Sequence, residues 1–143
     1  MMQYSARDPD FEARVRGSFV RQGLMATLGA RLELVAPGAV DIRLRSRPEI
    51  SQQHGFIHGG AIGAIADSAA GYAALTLTEP GLEVLTTEYK INFAAPANGS
   101  EIVAQGRVIR SGRTLILVKA EVFSGDRLVA FVTATMMAMN ASG

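Results

Sequence analysis

The spacing of apolar residues along the chain predicts two helices. Near the amino end, apolar residues recur at helical spacing after the cap-type residues 8–10, which predicts a short amphipathic helix over about residues 9–22. A second helical segment runs from residue 59 or 60 to about residue 78 and is small or apolar on nearly every face. A helix that is apolar all round is a buried helix, so this segment should lie at the centre of the molecule.

Elsewhere apolar and polar residues alternate with the period of a β-strand. Residues 30–36 and 39–45 flank Pro37-Gly38 and predict a β-hairpin. Further strands are predicted at 83–93, 101–111, 114–124 and 127–138, with tight turns at Ser111-Gly112 and Gly125-Asp126. The last two are apolar on both faces, which is typical of central strands in a sheet covered on both sides. The pattern therefore predicts a single α+β domain over residues 1–143, with its core at about 30–138 and antiparallel strands burying one long helix.

Composition narrows the class of protein further. The chain has 143 residues, 48% of them hydrophobic, 14 Lys+Arg against 13 Asp+Glu, and no cysteine. Disulfides, thiolate metal sites and a cysteine nucleophile are excluded, and the balanced charge argues against a nucleic-acid partner. The amino end lacks the basic-then-apolar order of a signal peptide, and the apolar stretch 61–77 carries Asp67 in its middle. We therefore expect a cytoplasmic protein with no membrane partner.

Residues with chemical potential are concentrated just before the central helix. Gln52, His54, His58, Gly59 and Gly60 all precede or begin it. Consecutive glycines at a helix start leave backbone N–H groups open to close approach, and the helix dipole attracts developing negative charge there. This pattern suits oxyanion stabilisation, although a loop histidine can equally serve only to bond a backbone carbonyl.

Asp67 is the one ionisable residue of the apolar helix. Burying a carboxylate costs free energy, so it needs either a partner, such as a neighbouring loop N–H, or a function. Gly59 and Asp67 are eight residues apart, which places them about 12 Å apart along the helix axis. One carbonyl cannot contact both, so if both act on it, they should come from antiparallel helices of two subunits. The expected assembly is a symmetric homodimer with two composite sites.

Other catalytic constellations are absent from the sequence: it has no nucleophile elbow, no H-E-x-x-H, no phosphate-binding loop and no dinucleotide-binding glycine motif. His54 and His58 have the spacing of a ligand pair but no evident third ligand, so we expect no metal.

The segment HGFIHGGAIGAIADSAAGYAAL, residues 54–75, resembles the hotdog-fold acyl-CoA thioesterases, and more narrowly their phenylacetate-degradation (PaaI-like) branch. The mark of that branch is H-G-G at the helix start with an aspartate nine residues after the histidine, here His58-Gly59-Gly60 and Asp67. The resemblance continues through TTEYKINFAAPANG and RVIRSGRTLILVKAEVF. It implies a curved antiparallel sheet wrapped around the central helix, and hydrolysis of an acyl-CoA thioester.

The resemblance also implies a role for individual residues. The N–H of Gly59 polarises the thioester carbonyl, Asp67 is nucleophile or general base, and His58 shapes the loop. Gln52 stands where the family often has an asparagine that orients the carbonyl or the water. A hydroxyl residue on the following strand matches Thr86, with Thr87 as the competing register.

The turn Arg110, Ser111, Gly112 and Arg113 resembles the family segment that approaches coenzyme A, and two arginines beside a tight turn suit phosphates, although turn arginines can equally be solvated. His54 and Gly60 are expected to contact the substrate as well. Coenzyme A is part of the substrate, no further cofactor is expected, and the homodimer should pair into a dimer of dimers, a homotetramer. Two other functions stay open: an enoyl-CoA hydratase or dehydratase-like enzyme, for which His54 and Asp67 are the candidates, and an acyl-CoA-binding module without catalysis.

Overall fold

The computed structural model describes residues 3–141. Two short helices come first, then a β-hairpin and a single turn of 3-10 helix at Pro48–Ile50, and then the long helix and four strands. The helices are α1 (Phe11–Val20), α2 (Gly23–Leu28) and α3 (Gly59–Leu75), and the strands are β1 (Arg31–Ala36), β2 (Ala39–Arg45), β3 (Leu82–Phe93), β4 (Glu101–Ser111), β5 (Leu115–Ser124) and β6 (Arg127–Asn140).

The six strands form one antiparallel sheet in the order β1-β2-β4-β5-β6-β3, and α3 packs across its inner face. Gly106 of β4 shows how close this packing is, because a β-carbon added there would lie 2.3 Å from the carbonyl oxygen of Ala69. The small residues of α3 let the backbones of helix and sheet approach to contact. This arrangement confirms the predicted α+β class and the helix wrapped by a sheet.

Strand β3 forms one edge of the sheet and runs along α3 in the opposite direction. Its inward side chains cover the glycines of the helix: an added β-carbon at Gly59 would lie 3.0 Å from Phe93 Cζ, and one at Gly63 would lie 3.3 Å from the Tyr89 hydroxyl. The glycines thus let aromatic side chains of the edge strand lie directly on the helix backbone.

The amino-terminal helix differs from the prediction. The segment is two helices, because Gln22 has extended backbone angles (φ −79°, ψ 106°) and breaks the helix. The second piece, α2, ends at Gly29 in the left-handed region with φ 77°. The hydrophobic period did not reveal this break, since nothing in it marks Gln22 as a residue whose side chain bonds to α3.

Two burial predictions are wrong. Strands β5 and β6 are not covered on both sides within residues 3–141: Leu115, Leu117 and Met137 of their outer face are 54%, 41% and 36% exposed. Helix α3 is not buried all round either, since one stripe remains partly exposed: Gly60, Ala64, Asp67, Ser68 and Gly71. Apolar composition alone could not distinguish a face packed within this chain from one left open.

Candidate active site

The amino end of α3 is built around the His58 side chain. His58 is the N-cap of the helix, and its Nδ1 accepts a hydrogen bond of 2.7 Å from the Gly60 N–H. The Gly60 amide is therefore already occupied. Gly59 takes the first helical position, where a backbone N–H has no acceptor within the helix. Among the two glycines, Gly59 is the one whose N–H is available to a substrate.

Gln52 lies in the loop beside this helix end. Its Oε1 accepts the backbone N–H of His54 at 2.5 Å and that of Phe56 at 3.3 Å. These bonds fix the amide plane, and no residue in the described range 3–141 accepts a hydrogen bond from its Nε2. Gln52 thereby presents an oriented N–H donor.

Gln52 and Gly59 line the same cleft, which has a volume of about 530 Å³ and is otherwise apolar. Its walls come from the loop before α3, the first turns of α3 and the segment after β3: Phe56, Ile57, Ile62, Phe93 and residues 94–97. The cleft thus places two N–H donors at the end of an apolar surface.

Asp67 lies in the middle of α3, half-buried, and its Oδ1 accepts a hydrogen bond of 2.7 Å from the Thr86 hydroxyl. A β-bulge between Thr86 and Glu88 decides which of the two threonines, Thr86 or Thr87, faces the helix. The bulge turns Thr86 toward the helix, whereas the Thr87 hydroxyl donates to the carbonyl of Thr135 at 3.1 Å. The carboxylate therefore has a hydroxyl partner, and not the loop N–H that sequence reasoning offered as an alternative.

A second, smaller pocket of about 260 Å³ adjoins Asp67. Ser18 and Gln22, from α1 and the residue before α2, line it together with Ser68 and Tyr72 of α3. Sequence analysis did not predict these residues as part of a site. The only available signal was the amphipathic period of the first helix. That period predicts a buried face, but it does not indicate which element the face packs against.

The structure keeps the two groups of residues apart within one chain. Gly59 lines the apolar cleft and Asp67 lines the smaller pocket, as expected from the rise of about 12 Å over eight helical residues. His54 is exposed in the loop and contributes its backbone N–H to Gln52. Within residues 3–141 of one chain, the N–H donor of Gly59 and the carboxylate of Asp67 therefore do not meet at a single point.

The predicted coenzyme A segment lies at the turn between β4 and β5. Arg110 and Arg113 are exposed, and Ser111 is half-buried at the end of β4. The N–H of Gly112 donates to Leu115 at 3.0 Å, and an added β-carbon there would lie 2.6 Å from the Leu115 carbonyl oxygen. Only glycine fits this tight turn without displacing the backbone, and the turn leaves both guanidinium groups accessible.

The alanines of α3 differ in their surroundings. Ala70 and Ala73 are fully buried in the core. Ala64, in contrast, lines a groove of about 280 Å³ beside α2. Phe56 and Phe93 do line the apolar cleft.

Several charged residues elsewhere are paired with one another. On the outer face of the sheet, Arg43 bonds to Glu33 at 2.6 Å and also to Glu101, and Arg107 bonds to Asp41 at 2.6 Å. The hydrogen bond that Arg43 donates to Glu33 is the main cause that raises the pKa of Arg43 above its ordinary value. This face holds compensated charge rather than a free catalytic group. Within residues 3–141 there is also no group of three or more His, Asp or Glu placed to hold a metal ion.

No helix among the described residues has the length and apolar character needed to cross a membrane.

A sheet wrapped around a long helix, with an N–H donor at the start of that helix and a carboxylate at its middle, defines a hotdog-fold protein. The family model described as the thioesterase superfamily matches residues 54–131, more than half of the chain. A thioesterase family protein from Silicibacter pomeroyi is 41% identical, with a TM-score of 0.89 and coverage of 92% of this chain and 99% of that one. The chain belongs to the thioesterase superfamily, and the predicted family and fold are confirmed.

Four further proteins are similar to this chain in fold or in sequence. The PaaI protein of the E. coli phenylacetic acid degradation operon has a TM-score of 0.84 at 17% identity over 92% of this chain and 94% of that one, which shows the shared fold alone. Acyl-coenzyme A thioesterase 13 of Homo sapiens is 29% identical over 87 residues, 60% of this chain and 61% of that protein. The match spans 63% and 65% of two relatives from Saccharolobus solfataricus, at 33% and 27% identity. The chain thus spans less than two thirds of the length of the human relative and of the two Saccharolobus relatives.

Proposed function

We propose that the protein is an acyl-CoA thioesterase that hydrolyses a thioester to a free acid and coenzyme A. The observation that carries this proposal is the 2.7 Å hydrogen bond between Thr86 and Asp67, which holds a carboxylate in an open pocket of a thioesterase-superfamily chain. The Asp67 side chain also remains accessible, so water and a substrate can reach it. The name of the human relative, acyl-coenzyme A thioesterase, supports the same substrate class.

The oxyanion is stabilised at the start of α3. The Gly59 N–H, helped by the helix dipole, and the Nε2 of Gln52 donate to the thioester oxygen as negative charge develops on it. His58 acts on this geometry indirectly, because it holds the Gly60 amide at 2.7 Å and fixes the first helical turn. His54 in the loop and Gly60 at the start of α3 are both exposed, and they contact the substrate.

The attack on the carbonyl carbon depends on Asp67. As a general base it takes a proton from water, whose oxygen then bonds to the carbonyl carbon; as a nucleophile it forms an anhydride that water cleaves. In both routes the carbon–sulfur bond breaks and the thiolate of coenzyme A leaves. It takes its proton from the Asp67 carboxyl in the first route and from solvent water in the second. Thr86 donates to one carboxylate oxygen, so that the other oxygen faces the reacting group.

The working unit is a homodimer with two composite sites. The open stripe of α3 and the unpaired side of edge strand β3 are the surfaces that a second copy would cover. An antiparallel pair of α3 helices would bring Gly59 of one copy to Asp67 of the other, which removes the separation of about 12 Å. We extend the proposal to a dimer of dimers, with the exposed outer face of β5 and β6 available for that contact.

Coenzyme A is held through its phosphates by Arg110 and Arg113, with the backbone of Ser111 and Gly112 shaping the turn. The reaction uses side chains, water and the substrate, and no resident cofactor enters it. We place the enzyme in the cytoplasm, where acyl-CoA thioesters are made and used.

The test is a thiol-release assay on purified protein with short, medium and aromatic acyl-CoA substrates. An enoyl-CoA is assayed in parallel by loss of the absorbance of its conjugated double bond. Thiol release with unchanged enoyl absorbance is the expected result. Loss of absorbance without thiol release would indicate a hydratase, and tight binding of acyl-CoA with neither signal would indicate a binding module.

A further inference from the structure

The pocket beside Asp67 has a polar far wall. It lies between the α1–α2 junction, α3 and the beginning of β3, and measures about 260 Å³. Besides Asp67 and Thr86, its polar members are Ser18, Gln22, Ser68, Tyr72 and Glu83. A pocket meant only for a hydrocarbon chain would be lined by apolar residues, because unpaired polar groups weaken apolar binding.

These polar groups form one hydrogen-bond chain. Gln22 Nε2 donates to the Tyr72 hydroxyl at 2.8 Å, the Tyr72 hydroxyl lies 3.1 Å from Ser18 Oγ, and Ser68 Oγ donates to Gln22 Oε1 at 3.3 Å. The Tyr72 oxygen accepts from Gln22, so its own proton is free to go to Ser18. Gln22 then keeps a second amide proton, and one hydroxyl proton of the Ser18–Tyr72 pair is left over, since either oxygen can be the donor between them. No acceptor for either is found among residues 3–141.

The wall is also held in place. Arg14 of α1 donates to the Asp8 carboxylate at 2.6 Å and to the carbonyls of Leu75 at 3.2 Å and Glu79 at 3.1 Å, at the carboxyl end of α3. The ring of Phe19 packs on Tyr72 with centroids 6.0 Å apart. Helix α1 is thereby fixed against α3, so Gln22 is positioned before any substrate arrives.

The unused donors and the nearby carboxylate together favour a hydroxyl group. A hydroxyl accepts from Gln22 or Ser18 and donates to Glu83, whereas a carboxylate would meet the negative charge of Glu83. Tyr72 is five residues beyond Asp67, about 7.5 Å along the helix axis. Gln22 bonds to Ser68 as well as to Tyr72, so the matching group lies within about 8 Å of the thioester carbonyl, by the same helical rise.

We propose that the protein selects acyl-CoA thioesters whose acyl group carries a hydroxyl at its distal end, and that Gln22 is the residue that reads this hydroxyl. The proposal rests on the thioesterase function proposed above and names the acyl class of its substrate.

Two matched substrates test it: hexanoyl-CoA and 6-hydroxyhexanoyl-CoA, which differ only in the terminal hydroxyl. We expect wild-type kcat/KM to favour the hydroxylated substrate by about five- to tenfold, the range of one net hydrogen bond. In Gln22→Leu the ratio should fall to about one. The matched control is Gln105→Leu, the same change on the outer face of β4, which should keep the wild-type ratio. A wild-type ratio of one or below, or an unchanged ratio in Gln22→Leu, would overturn the proposal.

Tyr72→Phe provides a second variant if Gln22→Leu does not fold. It keeps the ring against Phe19 and removes only the hydroxyl that orients Gln22, so the preference should fall but not vanish. Calorimetric binding of the thioethers S-hexyl-CoA and S-(6-hydroxyhexyl)-CoA separates the two proposals. Absent thiol release with a preserved binding preference contradicts the thioesterase function alone. Thiol release from both substrates without any preference contradicts the hydroxyl selectivity alone.

Discussion

Helix α3 offers different chemistry at its start, the Gly59 end, and at its middle, the Asp67 end. At Gly59 the helix offers backbone N–H groups beside an apolar cleft of about 530 Å³, with an aromatic ring on the glycine. At Asp67 it offers a carboxylate, a hydroxyl partner and a polar pocket of about 260 Å³. One end can stabilise negative charge and the other can deliver the attacking group. The difference supports the proposal that each end supplies half of the reaction, and that a complete site combines Gly59 of one copy with Asp67 of another.

Breaking the Asp67 end should have the largest effect. Asp67→Asn keeps the shape of the side chain but removes its basicity, so kcat should fall by about 10²- to 10⁴-fold, the usual contribution of a general base. The measurement is thiol release, with circular dichroism to show an unchanged fold. Asp126→Asn, in the exposed turn before β6, is the control and should keep wild-type activity. Activity of Asp67→Asn within about tenfold of wild type, about 1.4 kcal/mol in the barrier, would exclude the proposed role.

Breaking the Gly59 end should cost about 10²- to 10³-fold in kcat, the loss typical of one oxyanion donor. Gly59→Pro removes the N–H, and the backbone tolerates proline there because His58 is extended (ψ 138°) and proline suits the first helical position. Gly59→Ala keeps the N–H but places a β-carbon 3.0 Å from Phe93, so its smaller loss measures the steric part.

Mixing these two inactive variants sharpens the comparison. A heterodimer of Gly59→Pro and Asp67→Asn would hold one site with both defects and one intact site. We therefore expect recovery of up to about half the activity per heterodimer, measured by thiol release after subunit exchange. Exchange demonstrated by mass spectrometry with no recovery of activity would place both groups in a single chain's site.

The hydroxyl partner of Asp67 should matter less than the carboxylate itself. Thr86→Val removes the 2.7 Å hydrogen bond, and we expect about a tenfold loss in kcat, because a bond to a charged group contributes about 1.5 to 3 kcal/mol. Thr86→Ser should retain most of the activity. Thr87→Val is the matched control, since that hydroxyl bonds to the Thr135 carbonyl instead. Equal losses in the two valine variants would contradict the assignment of Thr86.

The smallest effect is expected outside both ends, at the proposed phosphate contact. Arg113→Ala should raise KM for acyl-CoA a few-fold and weaken its dependence on salt, with little change in kcat, because exposed charge interactions are modest and screened. A short N-acetylcysteamine thioester, which has no phosphates, should be hydrolysed equally well by this variant and wild type. Arg127→Ala, in the other exposed hairpin turn, is the control. Equal loss with both substrates would instead indicate a role of Arg113 in the fold.

Much of this architecture could be predicted because its signals are local. The alternation of apolar residues located all six strands to within two residues, and the glycines at 59 and 60 located the start of α3. The lone carboxylate of an apolar helix was enough to single out Asp67. The break at Gln22 was not predictable, because the residue leaves the helix to bond with Tyr72, fifty positions away in the sequence.

By itself the sequence determined the order of elements, the family and the residue types at the start and middle of α3, since periodicity, capping and motif spacing depend on near neighbours. Only the tertiary structure decided which groups are paired and which are available. The bulge in β3 selected Thr86 over Thr87, and the packing of α1 brought Gln22 to the pocket of Asp67. These outcomes depend on contacts between distant segments, whose geometry is fixed only when the sheet closes around the helix.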